Sequence, residues 1–323
     1  NYFSLFIMSY FARFKFYRNN RVAIIKISRK IKEYTIFLHD FRKKIINFIS
    51  HPKENYSNWY FLKYHILKSL YKLDSKFPIA IIRFNRKKTP GSDMFNWSLY
   101  NIYYRGEIKK VSKNYTLTLK ENDYIFKNNK LIQRNQKIKP LHPNYRLVYE
   151  TIVQLNPKSV FEIGCGNGIH LNNLQLLLPN AKLYGIDRSK EQLDFLHESY
   201  PFLKADIKVS DATIHFPQEW NGKFEVTFTQ AVIMHIHDKH SHLVAISNLF
   251  NIANKYVILM ERWKNHNFMD DIKKLQEKKL IKWEKIYFYY KLLEETSKPH
   301  LMICSKVPLE YPELTDYNML PKN

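Results

Sequence analysis

Val160-Phe161-Glu162-Ile163-Gly164-Cys165-Gly166-Asn167-Gly168 decides how the rest of the chain is read. An apolar run ending in an acidic residue reads as a buried strand, and the glycines that follow read as a tight turn into a helix. The chain has seven glycines in all, and three of them fall within these five turn positions. Glycine at such a turn permits a left-handed backbone and lets a ligand approach the main chain, while the next helix points its free N–H groups at the same place. A nicotinamide dinucleotide site would space its glycines G-x-G-x-x-G. The third glycine would then stand at 169, which is Ile169. The spacing here is G-x-G-x-G.

Outward from this turn the chain alternates strand and helix. Strands are expected at 159–163, 182–186, 205–209, 224–228 and 255–260, with helices at 168–178, 189–199 and 239–253. In the last of these, Leu243, Ile246, Leu249, Phe250 and Ala253 recur at helical spacing. Such alternation implies a parallel sheet with right-handed crossovers and helices on both faces. A further helix at about 266–280 precedes two strand-like runs, 285–290 and 300–305, close enough to pair as an antiparallel hairpin.

The region before the sheet reads differently. Residues 1 to about 75 interleave apolar and basic residues in a helical pattern, which suits packing on a domain or a basic amphipathic surface. Arg83, Arg86, Lys87 and Lys88 run into the turn Thr89-Pro90-Gly91. From about 98 to 135 the period becomes that of short antiparallel strands, broken by Asn-Asn. Pro140, His142 and Pro143 form a joint before the helical stretch that opens the second region, and the boundary is placed near 137. The expected organisation is therefore a basic N-terminal α+β region over 1–136 and an α/β domain over 137–323.

Charge divides the same way. Residues 1–150 hold 31 Lys+Arg against 9 Asp+Glu, and residues 151–323 hold 21 against 20. A compositional bias toward Lys, Asn, Ile, Tyr and Phe would act on both halves, so the asymmetry points to an anionic partner of the first half: RNA, lipid headgroups or an acidic glycan. A merely solvated basic surface is the competing reading. Cys165 and Cys304 are the only cysteines, which supports neither a disulfide framework nor a zinc site and fits a reducing cytoplasm. The apolar opening Asn1–Ala12 is too short to span a bilayer, although membrane-peripheral attachment fits the basic half. The chain opens on Asn rather than Met, which leaves room for a processed start and for a clipped signal or anchor.

The acidic strand end with G-x-G-x-G resembles the first motif of the class I, Rossmann-like S-adenosylmethionine-dependent methyltransferases. The resemblance covers residues 145–305 and extends to the order of elements, five parallel strands and then an antiparallel pair. It implies that S-adenosylmethionine is the cofactor, with Glu162 at its methionine end and the backbone of Gly164, Cys165, Gly166 and Gly168 beneath it. It also implies that Asp187, beside Arg188, takes the ribose hydroxyls. Two carboxylate oxygens can each accept a hydrogen bond, which suits that task. Asp211 and Ala212 then fall at the adenine, and Gln230 near the methionine end.

The run Thr229-Gln230-Ala231-Val232-Ile233-Met234-His235-Ile236-His237-Asp238 resembles the VLEHV segment of small-molecule methyltransferases. An oxygen acceptor must lose a proton, and histidine is the usual base. His235 is the first candidate, His237 the second and Glu261 the third. The N/D-P-P-Y motif of many nucleic-acid amino-methylating enzymes is absent. Ala231 and Met234 stand where metal-using quinone O-methyltransferases have paired glutamates, so no metal is implied. The leading expectation is methyl transfer to a small hydroxylated metabolite or a surface-glycan sugar. An RNA methyltransferase using the basic half, and a non-catalytic S-adenosylmethionine-binding adaptor, are the alternatives.

Overall fold

The computed structural model describes residues 111–134, 136–236, 240–293 and 298–317. The readings made for residues 1–110 lie outside these. Within the described part of the 98–135 stretch, β1 (Tyr124–Lys127) and β2 (Lys130–Gln133) pair antiparallel. Asn128 and Asn129 join them with φ of 52° and 60°. A two-residue turn with both φ positive matches the twist of the strands it connects, and asparagine tolerates that conformation better than most residues.

Helix α1 (Pro143–Leu155) starts with proline, whose missing N–H costs nothing in the first turn, and ends at Asn156 in the left-handed region. The alternation then unfolds as β3 (Ser159–Ile163), α2 (Ile169–Leu177), β4 (Lys182–Asp187), α3 (Lys190–Ser199), β5 (Ala205–Val209), β6 (Phe224–Gln230), α4 (Ser241–Ile252), β7 (Ala253–Met260), α5 (Phe268–Glu277), β8 (Tyr287–Leu293) and β9 (Lys298–Ser305). Each element expected from 159 to 305 is present, β3 and β5 with the expected ends and the others with shifted ones. α4 passes straight into β7 at Ala253, ahead of the expected 255, and β6 continues to Gln230 rather than 228.

The seven-stranded sheet has the order β5-β4-β3-β6-β7-β9-β8. The first five strands are parallel; β9 pairs antiparallel with both β7 and β8. The terminal hairpin thus adds through its second strand, and β8 forms the edge. Strand side chains alternate between two cores. Val160, Val226, Ile258 and Ile303 face α1, α2 and α3, together with Leu117, Leu119, Leu131 and Leu141 from the segment before the sheet. Phe161, Ile163, Val257 and Leu259 face α4 and α5. Both sheet faces are covered, which is why strands such as β3 read as continuous apolar runs. Among the described residues no helix is long and apolar enough to cross a membrane.

Candidate functional site: a cavity at the strand ends

The carboxyl ends of β3, β4 and β6 lie side by side, with Ile163 paired to both Ile186 and Thr229. A cavity of about 180 Å³ opens at these ends, where a doubly wound sheet reverses its strand order and leaves a crevice. The turn from β3 to α2 forms its floor. Gly164, Gly166 and Gly168 have φ of 74°, 52° and 75°, a region that residues with a Cβ avoid. At Gly164 space is also short, because a Cβ there would run into Val232 Cγ2 on the loop after β6.

Asp187 closes β4 and reaches across to this turn. Its Oδ2 accepts the Gly166 N–H at 2.9 Å and its Oδ1 accepts the Ser189 N–H at 2.8 Å. Burial pushes its carboxyl up, and the backbone bonds from Ser189 and Gly166 oppose the shift. Each oxygen keeps a lone pair beyond these bonds, and the residue lines the cavity. Asp211 is held in a tight turn, its Oδ1 accepting from Thr213 N at 2.9 Å and Thr213 Oγ1 at 2.7 Å. Arg188 Nε stands 3.5 Å from its Oδ2.

Glu162 is 1% exposed, and its Oε2 has no hydrogen-bond partner. Burial, then the charge of Asp187, holds its carboxyl well above the usual range. Gln230 likewise encloses an Oε1 without a partner. All ten residues that the sequence assigned to the cofactor are placed, and all except Gly168 line the cavity. Gly168 caps α2 just beneath it, packed on Leu196.

The three candidate bases stand differently. His235 sits in a 3₁₀ turn, Ile233–His235, and does not line the cavity. His237 lies outside the described residues. Glu261 is 3% exposed and is spent on the loop after β6. Its Oε1 accepts from Thr229 Oγ1 at 3.0 Å, Val232 N at 3.0 Å and Ile233 N at 3.2 Å, while Oε2 accepts from Met234 N at 2.9 Å. Burial still pushes this carboxyl up to about 6, against those four bonds. Glu261, the third candidate base, is thus engaged by four donors and anchors this loop. It holds Val232 in place, and Val232 in turn packs on Gly164.

Sequence reasoning missed Tyr145, His170 and Gln192 in the cavity wall. His170 is enclosed by a chain of hydrogen bonds. Asn173 Oδ1 accepts Leu119 N at 2.9 Å and its Nδ2 donates to Leu117 O at 2.7 Å, which fixes the amide's orientation. The same Nδ2 donates to Tyr149 Oη at 2.8 Å, and Tyr149 Oη in turn lies 2.9 Å from His170 Nδ1, a hydrogen bond whose direction depends on the histidine tautomer. Burial, then the charge of His142, lowers His170 to about 3, so it is neutral at ordinary pH. The available signal was the spacing of Tyr145 and Tyr149, one turn apart on α1, opposite a histidine in the first turn of α2.

A parallel sheet with this strand order, a glycine turn under a cavity and acidic residues at successive strand ends define a Rossmann-like cofactor-binding domain. Residues 154–296 match the family model described as a methyltransferase domain, and this part of the chain is a class I S-adenosylmethionine-dependent methyltransferase domain. The 235L protein of Invertebrate iridescent virus 6, which carries a methyltransferase assignment, is 28% identical over 102 residues, 32% of this chain. The match spans 37% of that relative's length. Among solved structures, the magnesium protoporphyrin IX methyltransferase of Synechocystis PCC 6803 is 15% identical, covering 51% of this chain and 80% of its own, with a TM-score of 0.39. A TehB-like methyltransferase of Corynebacterium glutamicum ATCC 13032 is 13% identical, covering 55% and 90%, with a TM-score of 0.40.

S-adenosylmethionine is the cofactor of this class, and the cavity residues fit it. A buried carboxylate oxygen without a partner is costly unless a cation or donor completes it. Glu162 Oε2 offers such a place to a cationic or hydrogen-bond-donating group of a ligand.

Proposed function

We propose that the chain is an S-adenosylmethionine-dependent methyltransferase whose acceptor is a small hydroxylated metabolite or a sugar of a surface glycan. The observation that carries the cofactor part is the cavity wall itself: Glu162 with an unpartnered oxygen, beside Asp187 holding the Gly166 amide. In this reading Glu162 and Gln230 hold the methionine end, the backbone at Gly164–Gly168 lies beneath it, Asp187 takes the ribose hydroxyls, and Asp211 with Ala212 meets the adenine. Bound there, S-adenosylmethionine supplies a methyl group on a good leaving group, so alignment of the acceptor contributes most of the acceleration.

An oxygen acceptor also gives up a proton. We assign that proton to His235, or to His237 two residues on, because both follow the loop that carries Gln230 and Val232 into the cavity wall. Glu261 keeps that loop in register. The choice of acceptor class is supported by the VLEHV-like segment and the lack of N/D-P-P-Y.

The test is transfer of an isotope-labelled methyl group from S-adenosylmethionine to a panel of sugars, phenolic and aliphatic hydroxyl compounds, and RNA. Label on a sugar or small hydroxyl compound, lost in His235→Ala, supports the reading. Label on RNA alone would replace it with the RNA methyltransferase, whose support is the basic first half of the chain. Tight cofactor binding with no label on any acceptor would favour the non-catalytic adaptor.

A further inference from the structure

We propose that His242, His266 and Asp271 form a binding site for one divalent transition-metal ion of the zinc class, separate from the cofactor cavity. One ligand atom from each of the three lies within 4.8 Å of the others. His242 is the second residue of α4, Asp271 stands in the first turn of α5, and His266 lies on the short loop before α5. The two helices share one apolar core through Ile246, Leu249, Ile272 and Leu275. The loop is tied on either side: Tyr317 Oη donates to the His266 carbonyl at 2.7 Å, and Asn265 Nδ2 donates to the Met234 carbonyl at 2.8 Å. The ligands are therefore presented by a framework that is already built.

The plain alternative is a His–Asp ion pair with a second ring packed on it. His242 argues against that. Its side chain is 13% exposed, its Nε2 stands 3.5 Å from Asp271 Oδ2, and its Nδ1 is enclosed with no partner. A contact of 3.5 Å is too long to be a good hydrogen bond, so a largely buried imidazole is satisfied at neither nitrogen. Buried polar atoms in that state call for an explanation, and a bound ion is one of the few available. Two imidazoles and one carboxylate are the borderline nitrogen and oxygen set that zinc and its neighbours take, with a fourth position left for water.

Occupancy requires a movement. The rings of His242 and His266 stack at 4.2 Å with an interplanar angle of 14°. A shared ion must lie in both ring planes, so one ring turns and the ligand atoms draw together to the separation that bonds of about 2.0–2.2 Å set. His266, on a loop, is the ring placed to turn.

The sequence adds local imidazole supply, with His235, His237, His240 and His242 falling within eight residues. The expectation that no metal is implied rested on positions 231 and 234, which this cluster does not use.

The test uses the full chain and Co²⁺ as the probe. The site predicts the intense visible bands of four- or five-coordinate cobalt, bleached by Zn²⁺, and retained in His240→Ala, an exposed neighbour outside the cluster. In His266→Ala or Asp271→Ala the affinity falls by at least the ~10–100-fold that loss of even an outer partner costs. Because a variant could lose its fold, circular dichroism of each is recorded, and the melting temperature is followed with and without Zn²⁺: the wild type rises and His266→Ala does not. The absence of bands in the wild type, bands unchanged in His266→Ala, or bands lost in His240→Ala would each overturn the assignment.

Discussion

Asp187 Oδ2 holds the Gly166 amide at 2.9 Å, tying the end of β4 to the turn that leaves β3. A carboxylate that also meets a ligand is thereby fixed before the ligand arrives. Asp187→Ala deprives Gly166 and Ser189 of an acceptor each, and we expect a loss of about 1–3 kcal/mol in unfolding free energy. Asp187→Asn retains one carbonyl oxygen and loses less. Chemical denaturation of the two variants checks the order; equal losses would contradict it.

The contact between Gly164 and Val232 gives a double-mutant test. Gly164→Ala meets both a φ of 74° and the Val232 side chain. It is expected to cost about 1–3 kcal/mol, the range for overpacking and for backbone strain. Val232→Ala in the same chain relieves the clash and leaves the strain, so partial rescue follows. No rescue would mean that the backbone conformation alone sets the cost.

Glu261 links stability and pH with opposite signs. Its folded pKa of about 6 lies above the ordinary 4.5, so the folded chain holds a proton that the unfolded chain has released. Its contribution to stability is therefore greatest below about 4.5 and declines by about 2 kcal/mol as pH rises to 6. The loop anchor, however, is the ionised form, which can accept from all four donors. Activity is expected to fall on the acid side near pH 6. Glu261→Gln, which turns an amide N–H₂ toward N–H donors, should lower activity at every pH and remove that acid limb. An acid limb unchanged in Glu261→Gln would assign it to another group.

Glu162 predicts a proton count. Its carboxyl is held well above its ordinary value, and a cationic ligand beside it favours the ionised form. Cofactor binding should release protons, measurable as a dependence of the calorimetric enthalpy on the ionisation enthalpy of the buffer, and affinity should rise with pH. In Glu162→Gln both effects should vanish. Equal proton release in wild type and variant would place the titrating group elsewhere.

Much of this domain was legible before any coordinates. The glycine turn and the five parallel strands follow from short-range signals: continuous apolar runs and scarce glycines concentrated at one turn, whereas the cofactor residues are expected from the resemblance alone. What was not legible depends on contacts between distant segments. Glu261 could be read only as an acidic residue after a strand, because its three backbone donors at 232–234 stand far from it in sequence. His170 enters the cavity wall through Asn173, Tyr149 and the Leu117–Leu119 segment, a route that no local pattern encodes. The His242–His266–Asp271 cluster forms because α4 and α5 pack together.

The central claim is that the cavity at the ends of β3, β4 and β6 holds S-adenosylmethionine. Calorimetric titration of the full chain with S-adenosylmethionine and with NAD, repeated on Asp187→Ala below its own melting temperature, tests it most directly. The account predicts micromolar binding of S-adenosylmethionine, no binding of NAD, and a loss of at least about tenfold in the variant, as expected when a hydrogen bond to a charged group worth ~1.5–3 kcal/mol is removed. Binding of NAD in its place, or S-adenosylmethionine binding that Asp187→Ala leaves unchanged, would contradict it.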